Sequence, residues 1–506
     1  MALSHVVTRA ALGVSAPLVT VEVHISNGLP GLSLVGLAET TVKEARDRVR
    51  SAILNSGFTF PAKRITVNLA PADLPKEGGR FDLPIAIAIL AASEQLPAAR
   101  LSQFEFLGEL ALSGALRGVQ GAIPAAMAAG DAGRTLIVPA ENGADVGLIK
   151  QRETLVASNL PEVCAFFLEQ RSLAPGCAVL PAEEANSTDL SDIVGQQQGK
   201  RALEVSAAGG HNLLLIGPPG TGKTMLAMRL TGLLPPLSER EALECATIAS
   251  LINRGGVHRQ WRKRPFRIPH HSSTLYALTG GGAIPQPGEI TLAHNGILFL
   301  DELPEFSRKT LDALREPLET GEITISRARA KVTWPARFQL IAAMNPSPAG
   351  HYQGKHNRST PQQTLRYLSR LSGPFLDRFD LSLEIPLLPA GMLSHQPKEI
   401  EQSAQVRLRV LKARERQLAR QGKINALLDN REVQQWCALA PTDAEWLESI
   451  LLTLGLSVRA WQRLLKVSRT IADLAGEETL TRAHLLEALS YRGMDRMLAH
   501  LHKSLE

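Results

Sequence analysis

The sequence predicts an α/β fold: a central domain with a parallel sheet, an α+β domain before it and an α-helical region after it. Three observations predict this. A short apolar run, Asn212-Leu-Leu-Leu-Ile216, leads into Gly217-Pro-Pro-Gly-Thr-Gly-Lys-Thr224 and then a helical pattern up to Leu234, the order strand, glycine-rich loop, helix. Two further apolar runs, 296–300 and 338–344, end in Asp301-Glu302 and Asn345, as strands covered on both faces do. From about Lys398, just past Pro397, the texture becomes almost purely helical.

In chain order, residues 1–171 alternate short β-rich runs (18–25, 64–68, 135–138) with Ala-rich helical stretches, an α+β pattern. Leu83 to Ala92 is too short to cross a bilayer and reads as a buried helix. Residues 172–188 carry Pro, Gly and small polar residues and read as a linker. The α/β core is assigned to 189–392 and the helical lid to 393–506.

The chain has 506 residues, 44% hydrophobic and 21% charged, which fits two or three globular domains. Aromatics are only 4%, so Ala, Leu, Ile and Val must build the cores. The net charge of +6 suits a polyanionic partner but is modest. Cys164, Cys177, Cys245 and Cys437 are scattered, which argues against a disulfide framework or zinc site and fits a reducing compartment. With no signal-peptide pattern and no membrane-length apolar run, a cytoplasmic location without membrane partners is expected.

The phosphate loop carries the strongest signal. Gly217, Gly220 and Gly222 let backbone N–H groups turn inward around phosphates. Lys223 is expected at the β- and γ-phosphates, and Thr224 on Mg²⁺. Pro218, Pro219 and Thr221 complete the loop. Asp301 is placed near the Mg²⁺ shell, and Glu302 where it orients or deprotonates water. Asn345 is placed to hold that water, the alternative being a turn residue before Pro346. ATP and Mg²⁺ are the cofactors implied.

Together with the run Leu376-Asp-Arg-Phe-Asp380, these residues resemble the AAA+ superfamily. Arg264-Pro-Phe-Arg-Ile-Pro-His-His271, Gly280-Gly-Gly and the stretch from Pro287 through Asp301-Glu-Leu-Pro-Glu-Phe306 resemble its magnesium-chelatase-like ComM/YifB branch along essentially the whole chain. The resemblance implies that Ile193 and Val194 lie against adenine. It implies that Arg378 is an arginine finger reaching a neighbouring subunit's γ-phosphate, so that activity needs a ring. Arg459 is implied as the second sensor, in a lid of the magnesium-chelatase C-terminal type. For either arginine the alternative is a solvated or salt-bridged helix residue.

The segment Ile323-Thr-Ile-Ser-Arg-Ala-Arg-Ala-Lys-Val-Thr-Trp334 alternates β-formers around a basic tip and reads as a hairpin. In related helicases such a hairpin grips nucleic acid. Arg327, Arg329 and Lys331 would then contact phosphates independently of sequence, unless the hairpin is simply solvated. The basic cluster from Arg254 to Arg267, with His270 and His271, suggests a second pore loop with Arg267 as a DNA contact. Two adjacent histidines without further ligand spacing are not read as a metal site.

The first domain resembles the Lon-protease (S5-type) fold, as on ChlI-type subunits, through Pro75-Lys-Glu-Gly-Gly-Arg-Phe-Asp-Leu-Pro84 and Phe106 to Gly118. Arg80 and Phe81 stand where the serine belongs, and Gly121 to Ala129 contains no lysine. A nucleophile without its base cannot be activated, so no peptidase activity is expected. The whole pattern implies a hexameric motor on single-stranded or branched DNA, with helicase or branch-migration activity in recombination and recombination proteins as further partners. A chelatase-like metal-insertion ATPase and a protein-remodelling chaperone are the alternatives, separable by DNA stimulation of turnover.

Overall fold

The first strands show why the N-terminal domain is two-layered. In Leu18–Ser26 and Arg64–Ala70, Val19, Val21, Val23, Ile65, Val67 and Leu69 are buried while their neighbours are more exposed. That period of two turns one face of the sheet inward. The inward face is covered by Glu39–Asn55 and by Asp82–Ala92, which is buried along its whole length. A helix apolar on every side has to lie inside, and this one contains the run read as a buried helix. The chain is seen in a computed structural model that describes residues 2–37, 39–182, 188–327, 330–394 and 400–505.

Eight strands form the N-terminal sheet, in the order 174–175, 155–157, 135–139, 104–106, 2–9, 18–26, 64–70, 31–35. Ala174–Pro175, within the stretch read as a linker, pair antiparallel with Leu155–Ala157 and so form the sheet edge.

The central sheet is parallel throughout, in the order Phe266–Arg267, Ile297–Leu300, Gln339–Met344, Leu213–Ile216, Leu381–Glu384. Leu213 and Leu215 join one apolar layer, with Gln197–Gly209 and the helices Ser403–Gln421 and Val458–Ala475. Leu214 and Ile216 join the opposite layer, with the hairpin residues Ile323, Ile325, Val332 and Trp334. The parallel strands therefore end together at one rim, where loops such as 217–222 and 301–302 gather.

After residue 400 the structure is helical, as the texture predicts. Arg420 closes this region on Asp473 at 2.7 Å. The last helix, Gly493–Lys503, returns to the sheet edge, where the Met494 amide donates to Ser382 Oγ at 3.0 Å. Among the described residues no helix is long and apolar enough to cross a membrane.

The N-terminal domain is seated on the core through specific contacts. The Gly121 amide donates to the Ser250 carbonyl at 2.7 Å. Asn142 donates to the Arg254 carbonyl at 3.0 Å, and the His258 amide to Asp145 at 2.9 Å.

Candidate functional site

The phosphate loop leaves the sheet at Gly217, whose amide donates to the Met344 carbonyl at 3.1 Å. A Cβ there would stand 2.4 Å from the Ile385 carbonyl oxygen, so only glycine fits. Gly220 and Gly222 have φ of 78° and 88°, in the left-handed region that glycine enters at no steric cost. No heavy atom lies within 4 Å of where their Cβ atoms would be, which leaves open space over the loop for phosphate oxygens.

Lys223 and Thr224 open the helix Lys223–Met228. The Lys223 ammonium donates to the Gly217 and Pro218 carbonyls at 2.8 Å each and reaches Asn345 Oδ1 at 3.4 Å. Burial pushes its pKa down from the usual lysine range, opposed by the charge of Asp301. The Thr224 hydroxyl donates to Asp301 Oδ2 at 2.9 Å. A hydroxyl and a carboxylate in contact are oxygen donors of the kind Mg²⁺ takes. These residues thus fit Mg²⁺ and the phosphates of ATP: Thr224 and Asp301 would hold the ion, and Lys223 with the loop amides would hold the phosphates. A nucleotide bound there would supply the phosphoryl group, and these residues would orient it.

Glu302 adopts φ 52°, and its amide donates to Asp301 Oδ1 at 2.9 Å. This conformation is uncommon outside glycine and is a mark of sites held against local preference. The Glu302 carboxylate is exposed and lies 3.2 Å from His271 Nδ1, and His270 stacks on His271 with ring centroids 4.2 Å apart. The contact of His271 with the candidate base was not foreseen from the sequence, since 31 positions separate the two residues and only the sheet brings them together.

Ile193 is buried and Val194 partly so. Their segment is tied to the phosphate loop by Gln196, whose side-chain amide donates to the Thr221 carbonyl at 3.1 Å and the Pro386 carbonyl at 2.9 Å. Gln196 was also missed, and nothing in its residue type marks it.

The two arginines assigned through the resemblance stand outside this cluster. Arg378 is ion-paired with Glu319, and its carbonyl accepts from Asn212 at 3.0 Å. Arg459 is exposed and makes no ion pair or side-chain hydrogen bond among the described residues. One turn further along the same helix, Arg463 reaches Asp377 at 3.0 Å.

The predicted hairpin is present as Glu322–Arg327 paired antiparallel with Ala330–Pro335. Arg327 and Lys331 are exposed and unpaired among the described residues. Arg329 lies outside the described residues. The other basic cluster is arranged differently. Arg267 is clasped by Glu289 at 2.7 and 2.8 Å through the Nε–Nη2 edge of its guanidinium. Arg264 donates to the Pro235 and Asn295 carbonyls at 2.7 and 2.8 Å. Arg254 pairs with Glu109 at 3.2 Å, and His258 with Asp145 at 2.9 Å. Arg254 and His258 thus bind residues of the N-terminal domain while Arg264 and Arg267 bind within the core, and a second pore loop with Arg267 as a DNA contact remains an expectation from the sequence.

Comparison with known proteins shows the family of the chain. Residues 189–393 match the family described as magnesium chelatase, subunit ChlI. Residues 21–142 match subunit ChlI of Mg-chelatase, and 400–492 its C-terminal region. The chain is 61% identical over 507 residues to the competence protein ComM of Haemophilus influenzae, covering 99% of each. It is 66% identical over 505 residues to YifB of Salmonella typhimurium, covering 100% of each. To the magnesium-chelatase 38 kDa subunit of Cereibacter sphaeroides it is 26% identical over 234 residues, which is 43% of this chain and 61% of that one. With its phosphate loop, its acidic pair and its three regions all accounted for, the chain belongs to the magnesium-chelatase-like ComM/YifB family of AAA+ ATPases.

Proposed function

We propose that the chain is an ATP-driven DNA motor that works as a cytoplasmic homo-hexamer and promotes helicase-type unwinding or branch migration in recombination. The observation that carries this reading is the hairpin: Arg327 and Lys331 are exposed and, among the described residues, without a carboxylate partner. Unpaired cations on an exposed hairpin suit a phosphate backbone, which is bound without regard to sequence. The relative named competence protein ComM, matched along its full length, supports a role in handling incoming DNA.

In this reading Lys223, Thr224 and Asp301 hold ATP and Mg²⁺, while Glu302 and Asn345 direct the attacking water. Arg378, released from Glu319, completes the site of the neighbouring subunit, and Arg459 senses nucleotide from the lid. An arginine supplied across an interface makes turnover depend on the ring. Ile193 and Val194 flank the base. The N-terminal domain, of Lon-like type and without peptidase residues, serves as a platform on the core.

The test is strand displacement and branch migration on forked and four-way DNA with ATP, for the native protein and Lys223→Ala. Migration by the native protein alone supports the reading. ATP turnover without movement of any DNA substrate would transfer the proposal to a chaperone or to a chelatase-like ATPase.

A further inference from the structure

Where the N-terminal domain meets the core, a cavity of about 440 Å³ is lined by Gly79, Arg80, Gly121, Leu251, Pro285 and Trp334, among others. Arg80 is the residue that stands where the Lon-like pattern would have its serine. It is only 8% exposed, and its guanidinium makes no hydrogen bond or ion pair among the described residues. Its Nε and Nη2 are buried without a partner. The indole Nε1 of Trp334, on the same cavity wall, is also buried without a partner. Buried donors are almost always satisfied, so two such groups on one cavity call for an acceptor.

The local electrostatics point the same way. Gly121, with φ 73°, caps the ten-residue helix Ala122–Asp131. A Cβ on Gly121 would lie 3.4 Å from Arg80 Nη1, so the guanidinium sits at the helix N-terminus. That is the positive end of the helix dipole, where an anion is favoured and a cation is not. The Gly121 amide already donates to the Ser250 carbonyl and Pro124 has no N–H, which leaves the Ala122 and Ile123 amides without an intrahelical acceptor. Glu77, Glu109 and Arg254 line the same cavity; Glu109 is engaged by Arg254 at 3.2 Å and Arg117 at 3.9 Å, Glu77 is exposed, and neither carboxylate pairs with Arg80 among the described residues. Burial without a counter-ion pushes the Arg80 pKa down to about 10.

A buried guanidinium, an indole N–H and a helix N-terminus are all donors, and the ligand complementary to them is an acceptor-only group with oxygens facing several directions. We propose that this junction is a second anion site, distinct from the ATP site, that takes a phosphate group carried by a small molecule. Because Arg80 belongs to the N-terminal domain and Trp334 to the hairpin base, a ligand held by both ties the domain to the hairpin.

The test is equilibrium dialysis of labelled inorganic phosphate against the full-length protein, with the ATP site saturated by ADP and Mg²⁺. One additional phosphate per chain is expected. Its affinity should fall roughly tenfold or more in Arg80→Met and several-fold in Trp334→Phe, as loss of a charge-assisted and a neutral hydrogen bond implies. Phosphate should also raise the Tm of the native protein but not of Arg80→Met, since a ligand stabilises only the fold that binds it. Displacement of the label by pyrophosphate or AMP supports the site and identifies the carrier. Absence of extra binding at about 10 mM phosphate, far above a useful affinity, overturns the proposal. So does displacement by an oligonucleotide alone. If Arg80→Met does not fold, Trp334→Phe decides: unchanged phosphate affinity in that variant overturns the proposal.

Discussion

The segment 254–267 and the hairpin 322–335 are both basic in sequence, yet their charges are used in opposite ways. In the first, Arg254, His258 and Arg267 meet carboxylates, and Arg264 meets two backbone carbonyls. In the second, Ile323, Ile325, Val332 and Trp334 are buried, while Arg327, which continues their face at the strand end, and Lys331, on the opposite face, are exposed and unpaired among the described residues. The difference is one of neighbours. The first segment runs between the N-terminal domain and the core, where Glu109 and Asp145 approach it. The hairpin packs its apolar face on the core, and among the described residues neither Arg327 nor Lys331 pairs with a carboxylate. Charge density alone therefore says little about binding; what matters is whether the charge has already been neutralised within the fold.

The largest effect that sharpens this contrast is on stability. Arg264→Ala leaves the carbonyls of Pro235 and Asn295 without their donor and is expected to cost about 2 kcal/mol. Arg327→Ala with Lys331→Ala should change stability by less than about 0.5 kcal/mol. Urea denaturation of both variants checks this, and equal losses in the two would break the contrast. Next comes DNA binding. The Arg327→Ala, Lys331→Ala variant should bind single-stranded DNA about tenfold more weakly at low salt, and its salt dependence should flatten by about one contact per residue removed. Fluorescence anisotropy across a salt series measures both quantities.

Arg267→Lys is a smaller perturbation. It keeps the charge but loses the two-pronged contact with Glu289, at a cost of about 1 kcal/mol or less. DNA affinity should not move; a drop as large as that of the hairpin variant would place Arg267 on the DNA surface. The smallest effect is a pH dependence outside both segments. Burial raises the Asp380 carboxyl, but the hydrogen bond and charge of His211, at 2.8 Å, outweigh it and hold the group below its usual 3.8. A depressed carboxyl contributes stability above the unfolded value of 3.8 that is lost as pH falls through the lower folded value. Asp380→Asn should flatten that acid limb of the urea midpoint, and an unchanged limb would count against the pairing.

The grouping of the candidate nucleotide-site residues was legible in the sequence because its determinants are local. Three glycines, a lysine and a threonine lie within eight positions, and Asp301, Glu302 and Asn345 each end an apolar run. The parallel core and helical C-terminal region followed from texture in the same way. What was not legible depends on distant approach. The partner of Arg267 is 22 positions away and that of Arg254 is 145 positions away. Arg80 and Trp334 share a cavity only because two domains meet there. The 171 boundary was set by composition, whereas strand pairing carries the N-terminal sheet on to Pro175, a contact that two residues cannot announce.

The most direct test of the central claim, that turnover is coupled to DNA through the hairpin, is the rate of ATP hydrolysis with and without single-stranded and forked DNA. It should be measured at low and physiological salt for the native protein, Lys223→Ala and the Arg327→Ala, Lys331→Ala variant. The account predicts DNA stimulation of the native protein, no turnover in Lys223→Ala and loss of the stimulation in the hairpin variant. Native turnover indifferent to every DNA at both salt concentrations would contradict it.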